Sequence, residues 1–317
     1  MSQLKSNRAL SDKDLIHNDY ESASIEIQIN LSQDLKINLF RKGPRKVYVN
    51  NLLLKKQSNI KNHLRTVCFC SNDINIVSGE PSYRRIWLDR VINQLEPVYS
   101  ELLNRYNKLL KQRSFLWRSN ISKIEFKSLL DSYDSQLALI GTRIFRRRKR
   151  ALIKLRPKIE YWHNYLSKSK EKIGLNYLSI MQKFSAEKDS EEHIKDKLNK
   201  ELFLQRDTEE LTGKCSIGPH RDDIEFLIND SSVRKFGSSG QQRTITLALK
   251  MAELELIRKI ISINPILILD DVLAELDLER QNLLLNSVGQ ESQCFISATH
   301  LDKLNNDFLG DSQIINL

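Results

Sequence analysis

The sequence predicts an α/β body interrupted by a long helical lobe. Strand-like alternation runs through residues 22–70, gives way over 82–210, and returns after Leu211. In the middle stretch glycine is rare and the apolar residues fall at helical spacing. Near the C-terminus, Ile266-Leu267-Ile268-Leu269 runs directly into Asp270 and Asp271. A short continuous apolar run is what a strand buried on both faces of a sheet looks like. The C-terminal end of such a strand is where open α/β sheets place their ligand crevice. A chain of 317 residues holds one large domain or two ordinary ones.

The elements follow in order. Ile25, Ile27, Ile29 and Leu31 alternate onto one face. Ile37, Leu39, Val47, Val49 and Leu52 continue the pattern around a turn at Lys42-Gly43-Pro44-Arg45, which predicts two or three antiparallel strands. Residues 64–70 read as a further strand ending near Ser71-Asn72-Asp73. Three apolar stripes then predict long amphipathic helices. They are Val98, Leu102, Leu103, Tyr106, Leu109 and Leu110; Leu129, Leu130, Tyr133, Leu137 and Ile140; and Ile153, Ile159, Trp162 and Leu166. After Leu211, Ile224, Phe226 and Ile228 alternate, and a Gly237-Ser238-Ser239-Gly240 turn leads into a helix from Gln241 to Ile261. The strand 266–269, a helix over 278–288 and a strand over Cys294-Phe295-Ile296 complete the chain. The expected organisation is a discontinuous head, residues 1–81 and 211–317, around a helical lobe, residues 82–210.

The formal net charge of +10 favours a polyanionic partner such as nucleic acid, although a generally basic proteome gives the same balance. Of Cys68, Cys70, Cys215 and Cys294, only the first two are close, and one-residue spacing is wrong for a zinc knuckle. Buried free thiols in a reducing compartment are expected. No apolar leader follows Met1 and no run is long enough to span a bilayer, so the expectation is a cytoplasmic protein with no membrane partner.

Position divides the labour between the two acids. Asp270 is placed to hold magnesium, usually through water, and Asp271 to orient or deprotonate an attacking water. The serines after Gly237 suit a capped helix start, where small residues let an anion approach exposed amides. Asp277 follows a turn and is placed to face a partner subunit. His300, just after the last strand, is placed to sense a terminal phosphate. A phosphate cradle of the form G-x-x-x-x-G-K-[ST] is absent: the nearest match, Gly213-Lys214-Cys215, has Thr208 for the first glycine and a thiol for the hydroxyl. The run Arg146-Arg147-Arg148-Lys149-Arg150 reads either as a solvated helix surface or as a phosphate-contacting ridge; its five cations cannot share one helical face.

These motifs together resemble the RecF family of ABC-type ATPase heads. Gly237-Ser238-Ser239-Gly240-Gln241-Gln242-Arg243 is similar to its signature segment, and Leu269 to Asp277 resembles its Walker B and D-loop. Gly218-Pro219-His220-Arg221-Asp222-Asp223 and the stretch from Gly79 to Asp89 resemble two further hallmarks. Ser71-Asn72 departs from the usual Pro-Glu, and Trp87 from Phe or Tyr. The resemblance covers essentially the whole chain.

The resemblance implies an ABC-type α/β head with an inserted helical lobe. It implies ATP and Mg2+ as cofactors, with Asp270, Asp271 and His300 on one subunit. Ser238, Ser239, Gly240, Gln241 and Asp277 would then act from the other subunit of an ATP-dependent homodimer. It further implies binding to single-stranded or gapped DNA, RecO- and RecR-like partners, recombinase loading and support of the SOS response. The residues from Ser6 to Ile16 resemble the stretch that follows the family's P-loop helix, so the chain is expected to be N-terminally short. Two functional classes follow: a weak DNA-dependent ATPase when a cradle is restored, or a non-catalytic DNA-binding protein whose ATP site is dismantled. A transporter ATPase is disfavoured by the long insertion and by Asp271, where transporters usually carry Glu.

Overall fold

Alternation in the first stretch becomes an antiparallel meander. The computed structural model describes residues 11–29, 33–57, 60, 63–262, 264–273, 276–288, 293–298 and 312–315. The chain divides into two compact units, Met1–Thr66 and Val67–Leu317. In the first, β1 (Ser22–Ile29), β2 (Gln33–Phe40), β3 (Lys46–Val49) and β4 (Leu52–Leu53) pair in that order. The register sets Ile25 opposite Ile37, Ile27 opposite Leu35, and Ile37 opposite Val47. Leu35, Ile37 and Leu39 are buried, as the period of two requires. The fourth strand was not expected. It follows Asn50 and Asn51, whose φ values of 48° and 64° make the tight turn that asparagine tolerates. Arg41 closes the unit, donating from Nε to the Tyr20 carbonyl at 2.7 Å and from Nη2 to that of His17 at 2.8 Å. Leu31 lies outside the described residues.

The second unit begins within β5 (Thr66–Cys70). Its helical half contains α1 (Asn75–Ser78), α2 (Pro81–Leu95), α3 (Tyr99–Leu116), α4 (Lys123–Ser167), α5 (Glu191–Leu204) and α6 (Arg206–Thr212). The second and third stripes of the sequence lie on one helix, α4, which spans 45 residues and passes through Pro157. Ser122 caps it, accepting from the Glu125 N–H at 3.2 Å, and Lys168 ends it with a left-handed φ of 54°. Two stripe members are not core: Val98 and Ile153 are exposed. The stretch also contains a strand, β6 (Ile173–Leu178), which pairs antiparallel with β7 (Asp223–Ile228). Its burial pairs Ile173 and Leu175 with Ile228 and Phe226 across the ladder.

After β7 come β8 (Ser231–Ser232), α7 (Val233–Phe236), α8 (Ser239–Ile261), β9 (Ile266–Asp270), α9 (Leu278–Val288) and β10 (Cys294–Ser297). A second sheet has the order β10-β9-β5, with β9 and β10 parallel. The apolar run of β9 is buried alternately, not on both faces: Leu267 and Leu269 are buried while Ile266 and Ile268 are half-buried. Helix α8 is apolar nearly all round because it serves two cores. Leu247, Met251 and Leu254 pack with β5, β9 and α9, whereas Ile245, Leu249 and Leu256 pack with the helical half. Helix α4 runs antiparallel along α8. Lys158 and Trp162 meet Glu255, and Glu171, just past the end of α4, meets Gln241 at the start of α8. The four cysteines are free, but only Cys215 is fully buried.

Candidate functional site

The two acids end β9 opposite Ser297 of β10, whose Cα partner in the parallel register is Asp270. The Ser297 hydroxyl donates to Asp270 Oδ1 at 2.8 Å and accepts the Asp271 backbone N–H at 3.0 Å. The same N–H also approaches the Ser297 carbonyl at 3.3 Å. One side chain from the neighbouring strand thus fixes both acids. Asp271 has φ +58°, a left-handed conformation that Asp tolerates better than most residues. That kink ends the strand, turning the backbone of Asp271 out of the ladder while Val272 and Leu273 return to the core.

Behind β5 lies a buried charge cluster that the sequence reading missed. The Lys250 ammonium, on α8, donates to the Cys68 carbonyl at 2.9 Å and pairs with Asp73 at 3.1 Å. Its neighbour Glu253 accepts from Trp87 Nε1 and from Gln94 Nε2, each at 3.3 Å. Burial raises the Glu253 pKa against the opposing pull of Lys250. Trp87 therefore supplies a donor that a Phe at that position would lack. The sequence marked Trp87 only as a departure from the family's Phe or Tyr, and its partner Glu253 lies 166 residues away.

The signature-like segment forms a reciprocal cap. The Ser238 hydroxyl accepts the Gln241 N–H at 3.2 Å, and Gln241 Oε1 accepts the Ser238 N–H at 2.8 Å. Ser239 and Gly240 then occupy the first turn, where amides have no intrahelical partner. A Cβ on Gly240 would meet only Ser238 Oγ, at 3.9 Å, so the backbone there is open to approach. Gln241 Nε2 donates to Glu171 at 2.8 Å. Ser238, Gly240 and Gln241 line a cleft of about 350 Å³ with Lys168, Lys170 and Asp277. Asp277 caps α9, accepting from the Arg280 N–H at 2.9 Å and from Arg280 Nη1 at 2.6 Å. Ser239 is exposed beside this cleft, and Asp270 and Asp271 do not line it. The structure therefore groups the signature residues with Asp277 and holds the acid pair apart on β9. His300 lies outside the described residues.

The two remaining hallmarks bolt onto each other. Arg84 pairs with Asp223, and Arg85 donates to the Asp222 carbonyl at 2.8 Å. Gly218 has φ +121°, and a Cβ there would collide with the Tyr106 hydroxyl at 2.2 Å. His220 bridges the Tyr106 hydroxyl and the Cys215 carbonyl, each at 3.0 Å. Burial lowers its pKa to about 4, so the ring is neutral. Of the basic run only Arg148 is buried; Arg146, Arg147 and Lys149 are half-buried and Arg150 is exposed. Arg148 is buried, with Nε and Nη2 each 2.9 Å from Asp89. Arg147 pairs with Glu96, and Lys149 donates to the Gln182 and Phe184 carbonyls. Three of its five cations thus make contacts within the chain.

The residues present fit part of a magnesium–nucleotide site. A carboxylate beside a hydroxyl is the hard-oxygen donor set that magnesium takes. Among the described residues no group of three or more His, Cys, Asp or Glu is disposed to hold a metal, so an ion at Asp270 would keep most of its water. The open first turn of α8, with Lys168 and Lys170 beside it, suits phosphate. The phosphate cradle itself is not among the 317 residues. Among the described residues no helix is long and apolar enough to cross a membrane.

No protein-family model matches the chain. It is 44% identical over 317 residues to the DNA replication and repair protein RecF of Parasynechococcus marenigrum (strain WH8102), covering 99% of this chain and 86% of that protein. Against the RecF of Trichodesmium erythraeum (strain IMS101) it is 39% identical over 334 residues, covering 100% and 86%. Among solved structures it is similar to the recombination mediator protein RecF-ATPrS of the RecFOR pathway, with a TM-score of 0.85 and 29% identity over 95% of this chain and 81% of that one. The corresponding RecF-ATP structure gives a TM-score of 0.83 and 28% identity over 94% and 80%. The fold is thus the α/β head of an ABC-type ATPase with its helical insertion. Identity at this level along the whole chain, together with the paired hallmarks, places the chain in the RecF family of DNA replication and repair proteins.

Proposed function

We propose that this chain acts in recombinational repair as a DNA-binding protein that dimerises around ATP and Mg2+. The observation that carries the nucleotide part is the separation of the acid pair from the signature cleft within one chain. Residues that serve one nucleotide yet face different places are complementary across a two-fold interface. In this reading Asp270 holds the hydrated ion and Asp271 orients water. Ser238, Ser239, Gly240, Gln241 and Asp277 meet the phosphates from the partner copy, and His300 serves the terminal phosphate. The head comprises 1–81 and 211–317, and the helical lobe 82–210. Bound ATP favours the dimer because it interacts with both halves only there. Single-stranded or gapped DNA is the nucleic-acid partner, consistent with the +10 charge. RecO- and RecR-like proteins are the mediator partners, and recombinase loading and the SOS response the cellular setting.

The test has two arms. The 317-residue chain is titrated with gapped DNA across a salt series, and log affinity is expected to fall linearly with log salt. Failure to bind at low salt overturns the DNA arm. In the other arm, a strand–P-loop–helix segment is supplied at the N-terminus and sedimentation is followed with Mg-ATP. A dimer that forms equally well without nucleotide overturns the ATP arm.

A further inference from the structure

Helix α4 carries a stripe that the head chemistry does not use. Residues 150, 154, 161 and 165 recur at spacings of four and seven, which sets them on one side of a 3.6-residue helix. Tyr161 and Tyr165 are 59% and 40% exposed. Their rings stack with centroids 6.4 Å apart and planes 10° apart. Trp162 braces both edge-on, at 5.3 Å and 5.8 Å, and its own Nε1 donates to Glu255 of α8 at 3.1 Å. The two tyrosines are therefore held before any ligand arrives. Arg150 and Lys154 are exposed along the same stripe, and residues 150 to 165 span about 22 Å at about 1.5 Å per residue.

The chemistry selects the occupant. A protein-binding patch has an apolar centre depleted of charge, especially of lysine. Here two flat rings lie beside two cations, and no acid of α4 shares the stripe; Glu160 sits about 100° round the helix. A polyanion with exposed flat apolar faces matches that pattern. Single-stranded nucleic acid has both properties, whereas a duplex keeps its base faces stacked inside. We propose that the Tyr161–Tyr165 face of α4 is a stacking platform for single-stranded DNA, with Arg150 and Lys154 holding the adjoining phosphates. The platform rests on the DNA-binding reading above and names where its single-stranded part docks.

The test uses the 317-residue chain, a labelled oligothymidine and a duplex of equal length, with anisotropy read across a salt series. Replacing both tyrosines, Tyr161→Ala with Tyr165→Ala, is expected to weaken single-strand binding by roughly 20-fold or more. Duplex affinity should change by less than about twofold, because stacking requires open bases. The Phe pair at the same positions should bind as the parent does. Arg150→Ala with Lys154→Ala should lower the salt slope by about 1.4, at about 0.7 for each phosphate contact on a single strand. If the parent binds single strands and the alanine pair binds them equally, the platform is wrong and DNA binding stands. If the alanine pair changes only self-association, the face is a protein contact and the platform is again wrong. If the parent binds neither DNA, both readings fall.

Discussion

Arg84 grips Asp223 across 139 residues of sequence, with Nε 2.6 Å from Oδ1 and Nη2 3.1 Å from Oδ2. The guanidinium is 2% exposed, and its remaining donor Nη1 reaches the Gly79 carbonyl at 2.9 Å. This pair joins the start of α2 to the start of β7, and so joins two of the motifs that mark the family. Removing one partner of such a pair leaves the other charge poorly compensated. Arg84→Ala is expected to destabilise the fold by about 3 kcal/mol in urea unfolding, and Arg84→Lys to recover only part of that, because an ammonium cannot make the forked contact. A loss of less than about 0.5 kcal/mol would show that the pair is incidental.

His220 gives the fold a pH signature. Its pKa lies near 4 in the folded chain, lowered chiefly by burial, against about 6.5 when unfolded. The unfolded state therefore binds the extra proton first. The contribution is complete above about pH 6.5 and is lost as pH falls towards 4, a window of about 2.5 pH units worth at most about 3 kcal/mol. Burial raises the pKa of Asp222 and Glu253, so their protonation favours the folded state as pH falls and opposes this loss. Comparing the parent with His220→Gln isolates the histidine. The variant's stability should fall less steeply between pH 6.5 and 4, as read by denaturant unfolding at each pH. Parallel curves would exclude His220 as the source.

The site was legible in sequence where its chemistry is local. An apolar run before Asp270 and a Gly-Ser-Ser-Gly turn before α8 are contiguous signals, and both elements lie where those signals place them. What escaped is non-local. Ser297 holds both acids, yet a serine at the end of a strand carries no mark of the carboxylate it will meet. Lys250 sits in an apolar helix, and besides its neighbour Glu253 it meets Asp73 and the Cys68 carbonyl, both far away in the chain. The strand β6 was hidden because its six residues lie between long helices and find their ladder partner only in β7. The partner of Arg148 escaped for the same reason: the carboxylate that neutralises it is Asp89, 59 residues earlier.

The backbone of Asp271 decides how its role is tested. At φ +58° an alanine adds strain of about 1 kcal/mol, whereas asparagine tolerates the conformation. Asp271→Asn is therefore the clean substitution. With a P-loop segment supplied, it should keep nucleotide binding and lower turnover by about 100-fold or more. Asp270→Asn should instead weaken the magnesium dependence of binding, because it removes the negative oxygen proposed to face the hydrated ion. Single-turnover hydrolysis and magnesium titration separate the two. Parent-like turnover in Asp271→Asn would remove it from the reaction.

Ser238 can be tested without unfolding the helix it caps. Ser238→Ala deletes the acceptor for the Gln241 N–H and should cost about 1 kcal/mol. Ser238→Asp keeps a good cap but adds a negative charge at the open turn. The aspartate variant should therefore be as stable as the parent, within about 0.5 kcal/mol, yet fail to dimerise with Mg-ATP once a cradle is supplied. Sedimentation velocity reads this directly. An unchanged nucleotide-dependent dimer would place Ser238 away from the phosphates.

These 317 residues on their own are expected to bind DNA without hydrolysing ATP. A triphosphate needs a ring of backbone amides and a lysine to offset its charge. The signature cleft offers an open helix start with Lys168 and Lys170, but Asp270 and Asp271 do not line it. Asp270 and Asp271 alone repel the phosphates unless magnesium intervenes. Lys214 has no glycine loop around it; Gly213 merely ends α6 with φ +63°. The exposed cations of α4 do not depend on a cradle, so DNA affinity should persist with a steep salt dependence. Purified chain is assayed for phosphate release and for DNA binding in parallel. Magnesium-dependent turnover that disappears in Asp271→Asn would refute this expectation, because a second segment of the chain would then have to cradle the triphosphate.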